Sequence, residues 1–339
     1  MRSIDTFAGL MALCLLSACQ AKAPLLEAQP RECLRSAFLF GTRFELRLAG
    51  SDSDLLDVAA DAAIAEGERL ESVASVWVAE SAVVRFNAAA RVAGRHRVPV
   101  ELARLVERAQ AWCRSSGGGV DPTVGALLEL YGYYDGDGVA PTAEDLTATL
   151  ARVGCDAVRV DGDVIVTGID GVRLDLGSMA KGEAVDRMAS VLRAAGVEHG
   201  IISGGGSSVF AFGDEPGGRG WPLTIDTGDG VETWRLIDEA VGVSGQLSEP
   251  VFVDGRLVSH LIDPRSGRPV DHSTLQVVVR AQTATDADLG STALAVMGSA
   301  AATAWLAAED RCPQVLGACI TDVAPGSPTE RVVHRLRGG

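Results

Sequence analysis

The stretch Val172-Arg-Leu-Asp-Leu-Gly-Ser-Met-Ala-Lys-Gly-Glu-Ala-Val-Asp186 decides how we interpret the rest of the chain. Its apolar start, Val172–Leu176, predicts a strand that ends at the turn Gly177-Ser178. Apolar residues then recur at helical spacing, and Gly196 is suited to end that helix. A second apolar strand, Gly200–Ser203, runs into a glycine-rich turn. The pattern therefore predicts strand, tight turn, helix and strand.

The turn at Gly177-Ser178 is suited to binding an anion or a metal ion. The free N–H groups of a helix N-terminus favour negative charge. Asp175, Lys181 and the carbonyl groups of the turn are close to them in sequence. The alternative is a structural strand–helix unit whose glycines allow close packing, since a glycine-rich turn alone is a weak signal.

Composition restricts the class of protein. A chain of 339 residues is long enough for one or two domains with a large core. The net charge is −15, and the sequence contains no basic tract. This argues against nucleic acid as a partner, because phosphate binding needs clustered Lys and Arg.

Residues 1–19 are predicted to be a lipoprotein signal peptide. The apolar run Phe7–Leu16 is too short to span a bilayer but has the length of a secretory signal core. Leu16-Ser-Ala-Cys19 resembles a bacterial lipobox, which implies cleavage before Cys19 and lipidation of its sulfur. An ordinary signal peptide cleaved nearby is the alternative. We expect residues 20–36 to be a tether that holds the protein on the periplasmic side of the cell envelope.

Cysteine usage leaves the disulfide pattern open. Of seven cysteines, Cys14 leaves with the signal and Cys19 carries the lipid. An oxidising compartment permits disulfides, but an odd number of remaining cysteines leaves at least one thiol unpaired within a monomer. No Cys-x-x-Cys occurs, which argues against zinc and thioredoxin chemistry. The remaining cysteines are Cys33, Cys113, Cys155, Cys312 and Cys319.

The main domain is predicted over residues 37–323, followed by a C-terminal tail at 324–339. Runs of strands with segregated helices indicate an α+β fold with mixed sheets. We predict a loop with a short turn over Val76–Asn87 and a solvated turn at Asp135–Gly138. Hairpins are predicted over Val158–Val166 and Pro250–Ser259. The other predicted strands are Phe38–Leu48, Val209–Phe212, Pro222–Asp226, Glu232–Ile237, Ala240–Ser244, Leu275–Ala281 and Gln314–Thr321, and the other predicted helices are Leu55–Val73, Val100–Arg114, Thr142–Arg152, Thr285–Met297 and Ala300–Glu309.

Four clusters place polar groups on turns at the ends of predicted elements. Asp288 and Thr292 are four residues apart, so they lie on one helix face. A carboxylate and a hydroxyl on one face can share Mg²⁺ with a carbonyl and phosphate oxygens. The alternative is an N-cap pair or a solvated face. The clusters are Asp121-Pro-Thr-Val-Gly125, Asp175–Lys181, His260–Pro264 and Ala287–Thr292.

The clusters and their order resemble the ApbE family of FAD:protein FMN transferases. The likeness runs from about Phe38 to Thr321 and implies an ApbE-like, T-fold-related architecture. The residues that carry it are Gly41-Thr42, Ser81–Asn87, Asp121–Gly125, Asp175–Gly182 with Asp186, Gly205-Gly206, Ser244-Gly245, Ser259–Gly267, Pro269-Val270, Ala287-Asp288 and Thr292-Ala293.

The resemblance implies transfer of FMN from FAD to a threonine hydroxyl of an extracytoplasmic acceptor protein, with release of AMP. It implies Mg²⁺ held by the side chains of Asp288 and Thr292 and the carbonyl of Ser178. His260 matches the histidine that deprotonates the hydroxyl, a role that suits a neutral imidazole near pH 7. The residues that match FAD contacts are Phe40, Trp77, Gly119, Val120, Asp121, Asp175, Lys181 and Ile262. Without the resemblance, Phe40 and Trp77 would be interpreted as ordinary core.

The chain departs from the family pattern at four places. Phe40 replaces a common Met, Ser207 a common Asn, and Gln246-Leu247 a common Asp-Tyr. Glu183 replaces an aromatic residue and is expected to bring a carboxylate close to an anionic ligand. Two other functions therefore stay open: hydrolysis of FAD to FMN and AMP at the same site, and flavin binding without turnover.

Overall fold

The computed structural model describes residues 31–134, 137–246, 251–308, 315–327 and 329–337. The predicted signal peptide with Cys19, most of the predicted tether, and Cys312 lie outside these ranges. The described helices are α1 Ser53–Ala74, α2 Ala82–Ala89, α3 Val100–Ser115, α4 Gly125–Leu130, α5 Ala143–Leu150, α6 Ala180–Ala194, α7 Ala284–Met297 and α8 Ser299–Ala307.

The described strands include a long run, β7 to β16, between α6 and α7, and they form one large sheet and several small ones. They are β1 Arg31–Leu39, β2 Thr42–Gly50, β3 Gly94–Arg97, β4 Asp137–Gly138, β5 Val158–Asp161, β6 Val164–Thr167, β7 His199–Gly204, β8 Ser208–Phe212, β9 Trp221–Asp226, β10 Val231–Leu236, β11 Glu239–Gly245, β12 Val251–Val253, β13 Arg256–Val258, β14 Ile262–Asp263, β15 Arg268–Pro269, β16 Thr274–Ala281, β17 Val315–Val323 and β18 Arg331–Arg337.

The large sheet is antiparallel and has the order β1-β2-β7-β8-β11-β16-β17-β18 in the described part of the chain. Successive residues of β8 face opposite sides of the sheet. Phe210 and Phe212 pack in the main core with α1, α6 and α7. Val209 and Ala211 pack in a second cluster with Trp221 and Leu236 of β9 and β10. The predicted α+β fold is confirmed.

The first hairpin corrects one predicted strand. Phe38–Leu48 is not continuous, because Phe40 and Gly41 form a tight turn between β1 and β2 with φ of 51° and 73°. A turn with two positive φ angles is the type I′ geometry that suits a two-residue hairpin. β1 also begins within the predicted tether, and β18 lies within the predicted tail and pairs with β17. The sheet therefore extends beyond residues 37–323 at both ends.

The predicted strand Val172–Leu176 is also wrong. Its apolar side chains are buried, but its backbone bonds to groups other than a neighbouring strand. The Asn87 amide accepts from the N–H of Leu174 at 2.7 Å and donates to its C=O at 2.9 Å, and the Asp175 N–H donates to Pro122. Asn87 lies on α2, where the sequence predicted a loop. The apolar pattern detected burial correctly but could not reveal which groups satisfy the backbone.

Several local predictions are confirmed. Gly196, with φ of 91°, ends α6, and the Val197 N–H donates to the Leu192 C=O in a Schellman motif. Thr142 is the N-cap of α5. The hairpins β5–β6 and β12–β13 both form, and β3 adds an unpredicted strand to the first. Within the described ranges, no helix is long and apolar enough to cross a bilayer.

A disulfide joins Cys113 at the end of α3 to Cys155, while Cys33 and Cys319 are buried free thiols. The bridge closes a loop with a sequence separation of 42 residues. Restricting an unfolded loop of that length is worth about 4 kcal/mol in the chain-entropy account. We expect the double variant Cys113→Ala/Cys155→Ala to lose about that much free energy of unfolding, measured by urea denaturation.

The single variant Cys33→Ala is the control, since it removes a buried sulfur without opening a loop. Reductant should reproduce the loss in the wild-type protein and have no effect on the double variant. Equal urea midpoints for the wild type and the double variant would show that the bridge does not stabilise the fold.

Candidate functional site

One cleft brings together residues that are far apart in sequence. It has a volume of about 500 Å³, within the usual range for small-molecule and cofactor sites. Asp288 lies behind its wall and is 7% exposed. The predicted site residues that line the cleft are Phe40, Trp77, Gly119, Val120, Asp121, Asp175, Ser178, Lys181, His260, Ile262 and Thr292. The geometry thus places the predicted residues in one site, and their individual roles stay predictions.

Asp288 is held by two hydrogen bonds to one oxygen. Its Oδ2 accepts from the backbone N–H of Gly182 and from the hydroxyl of Ser208, both at 2.8 Å. The approach of α7 to α6 depends on glycine, because a Cβ on Gly182 would lie 2.4 Å from the Ala284 carbonyl oxygen. Burial raises the pKa of Asp288 to about 7, and the positive charge of Lys181 opposes that rise. A nearby cation would stabilise the ionised carboxylate.

The other two predicted metal ligands lie on the cleft side. Thr292 follows Asp288 by one helical turn, and its Oγ1 is 3.1 Å from the hydroxyl of Ser244. Ser178 lies in the turn before α6. A buried carboxylate, a hydroxyl and a carbonyl are the oxygen donors that Mg²⁺ accepts. These residues therefore fit a magnesium ion at the cleft wall.

Asp175 fixes the turn that carries Ser178. Its Oδ1 accepts from the Gly177 N–H and its Oδ2 from the Tyr134 hydroxyl, both at 2.7 Å. The Arg173 guanidinium lies 4.7 Å from the centre of the Tyr134 ring. Burial, together with the neighbouring charge of Asp175, raises the pKa of the Tyr134 hydroxyl, so Tyr134 stays a donor at neutral pH.

His260 is carried by a short, well-bonded loop. The hydroxyl of the buried Ser259 accepts from the Leu261 N–H at 3.1 Å. Beyond it, β14 pairs with β15, and the Val270 N–H donates to the Leu261 C=O. Gly267 closes this turn as predicted, with φ of 68°. The bonds on both sides of His260 restrict how its imidazole enters the cleft.

An aromatic group borders the cleft. Trp77 lies 6.0 Å from Tyr133 and 5.6 Å from Tyr134, measured between ring centroids. Trp77 is 58% exposed, so its alternative interpretation as ordinary core is wrong. Sequence reasoning missed both tyrosines, although Tyr131-Gly-Tyr-Tyr134 directly follows a predicted cluster and its helix. Rings at a cleft edge suit stacking against a planar ligand.

Asp121 is buried beside the disulfide. Its Oδ1 accepts from the Thr123 N–H at 2.8 Å and the Thr123 hydroxyl at 2.6 Å, and burial raises its pKa. Among the described residues, Cys113, Asp121 and Cys155 place ligand-type atoms within 4.8 Å of one another. The two sulfurs are bonded to each other, so the trio offers no thiolate to a metal ion.

Two sequence departures have clear structural partners. Glu183 was expected to lie near an anionic ligand, but it is not among the residues that line the cleft. It bonds to Arg187 at 2.8 Å and Arg108 at 3.1 Å, so that expectation is wrong. The Gln246 amide donates to the Val270 carbonyl at 2.9 Å and so braces the loop after His260.

Comparison with known proteins finds relatives over most of the chain. Residues 40–316 match the model of the ApbE family. An FAD:protein FMN transferase of Klebsiella pneumoniae (strain 342) is 28% identical, over 86% of each chain. The crystal structure of Pseudomonas stutzeri flavinyl transferase ApbE, in its apo form, has a TM-score of 0.81 at 26% identity and covers 91% of this chain and 96% of its own. The chain belongs to the ApbE family.

The fold is shared more widely than the sequence. The flavin transferase ApbE of Vibrio cholerae is 24% identical and has a TM-score of 0.76, covering 91% of this chain and 97% of its own. The match of residues 40–316 to the family model confirms, along most of the chain, the resemblance first seen in a few turn clusters.

Proposed function

We propose that this protein binds FAD in the cleft and transfers FMN to a threonine hydroxyl of an acceptor protein, releasing AMP. It is an FAD:protein FMN transferase by family. The observation that carries the proposal is one cleft lined by His260, Lys181, Ser178 and Thr292, with Asp288 behind its wall on the same helix as Thr292. That set supplies a base, a cation for phosphate and a magnesium site.

The reaction forms a bond from the threonine oxygen to the phosphorus of the FMN half and breaks the pyrophosphate bond to AMP. Phosphoryl transfer depends mainly on alignment and neutralisation of charge. His260 accepts the proton of the attacking hydroxyl. Lys181, in the first turn of α6, lines the cleft, and its positive charge attracts the phosphate oxygens.

Magnesium would be held by the side chains of Asp288 and Thr292 and by the carbonyl of Ser178. When bound, it would supply positive charge for the pyrophosphate. Ser208, the Gly182 N–H and Ser244 orient the two side chains that would bind it.

One assay tests the function and separates its alternatives. The mature protein is incubated with FAD and Mg²⁺, with and without an acceptor domain. Covalent flavin fluorescence on the acceptor, together with AMP, supports transfer. FMN and AMP formed without acceptor indicate hydrolysis, and unchanged bound FAD indicates a binding protein.

We also propose that the mature protein is lipid-anchored through Cys19 on the periplasmic side of the envelope. The lipobox-like sequence Leu16-Ser-Ala-Cys19 motivates this, and the Cys113–Cys155 bridge is of the kind that persists in an oxidising compartment. Changing Cys19→Ala should move the protein out of the acylated membrane fraction or leave the signal uncleaved, as measured by mass spectrometry.

The variant Cys33→Ala should keep the wild-type distribution, because Cys33 lies in β1. Since one acyl chain anchors weakly, more than one acyl group is expected on the wild-type N-terminus. Native protein without acyl groups would refute this anchor.

A further inference from the structure

Phe40 adopts a backbone conformation that large residues disfavour. Its φ of 51° lies in the left-handed region, where a Cβ crowds the following carbonyl. Type I′ turns favour Asn, Asp or Gly at this position. Phe40 nevertheless lines the cleft, and its ring lies 6.3 Å from that of Phe44. A strained residue in a site suggests a functional reason for its side chain.

Glu71 is the partner of that turn. It lies in the last turn of α1, where the helix dipole disfavours a carboxylate. Its Oε1 accepts the backbone N–H of Phe40 at 2.6 Å. A hydrogen bond to a charged acceptor is stronger than a neutral one. One hydrogen bond therefore joins two residues that are each unfavourable in their local position. One is the acid at a helix C-terminus, and the other is the phenylalanine in a left-handed turn.

We propose that Glu71 is a positioning residue that holds the Phe40 ring in the FAD cleft. Glu71 is not among the residues that line the cleft, so it acts through the backbone of Phe40. The inference rests on the proposed function, since it takes FAD as the ligand of the cleft. In this arrangement the Glu71 carboxylate of α1 fixes the β1–β2 turn, and the Phe40 ring on that turn forms the part of the cleft wall against which the ligand packs.

The test measures the affinity for FAD without turnover. Binding is monitored by flavin fluorescence in the absence of Mg²⁺ and acceptor. Glu71→Ala should weaken FAD binding roughly tenfold, the usual effect of losing a hydrogen bond to a charged group. Glu71→Gln keeps an acceptor oxygen and should bind nearly as the wild type does. Glu68→Ala is the matched control, because Glu68 is an exposed acid on the same helix. If the Glu71→Ala variant does not fold, Glu71→Leu is used in its place.

A double-mutant cycle distinguishes positioning from general destabilisation. Phe40→Asn suits the turn but removes the ring, so it should weaken FAD binding without lowering the thermal midpoint. In that background, Glu71→Ala should have no further effect on FAD affinity. If the two substitutions lower FAD affinity additively, or if Glu71→Ala binds FAD as tightly as the wild type, the inference is overturned while the proposed function stands. Wild-type protein that binds no FAD would overturn the proposed function and this inference with it.

Discussion

Changing Asp288→Ala is expected to abolish magnesium-dependent transfer, with a loss of at least roughly 10²-fold, as for other groups that supply charge in an active site. Asp288 is the charged member of the predicted ligand trio, and Ser208 and Gly182 fix its carboxylate. The measurement is calorimetry of Mg²⁺ binding in the presence of AMP or FAD, alongside the transfer rate. Unchanged metal affinity in the variant would remove Asp288 from the ligand set.

Asp288→Asn is the variant that isolates charge from shape. Its amide oxygen can still accept from Gly182 and Ser208, so the fold should persist. Because burial raises the pKa of Asp288, its ionised form is unfavourable in the metal-free protein. We therefore expect the metal-free Asn variant to unfold at no lower temperature than the wild type, while losing Mg²⁺ binding. A large drop in its thermal midpoint would indicate a structural role instead.

The cleft could be predicted because its parts are local. Each cluster is a turn with polar residues at a fixed spacing, and the helical spacing of Asp288 and Thr292 places both on one face without knowledge of the tertiary fold. Lys181 and Ser178 belong to one helix start. The order of such clusters along the chain carried the family resemblance, so the site was accessible from sequence.

What the sequence could not provide were contacts between distant segments. The hydrogen bonds of Asn87 to Leu174 replace a strand pairing that the apolar pattern had suggested. Glu183 follows Lys181 by two residues, and residues at that spacing do not share a helix face, so nearness in sequence misled the interpretation. The first hairpin was not predicted, because its turn begins with Phe40 in the left-handed backbone conformation and a large apolar residue is not a turn signal.

The second large effect is expected at His260. Changing His260→Ala should slow FMN transfer by roughly 10²–10⁴-fold, the usual contribution of general base catalysis. FAD affinity should change little, because the imidazole acts on the acceptor hydroxyl rather than on the cofactor. The wild-type rate should rise with pH as the imidazole loses its proton, and the variant should lack that rise. His96→Ala is the control, since His96 lies on β3 and is not among the residues that line the cleft.

The two readouts separate catalysis from binding at His260. A variant with a low rate and normal FAD affinity supports the base, because the loop from Ser259 to Val270 would still be in place. A variant that keeps its rate but binds FAD weakly would make His260 a binding residue. The threonine proton would then have to go to another group of the cleft, and Asp121 would be the first to test, because it lines the cleft and burial raises its pKa.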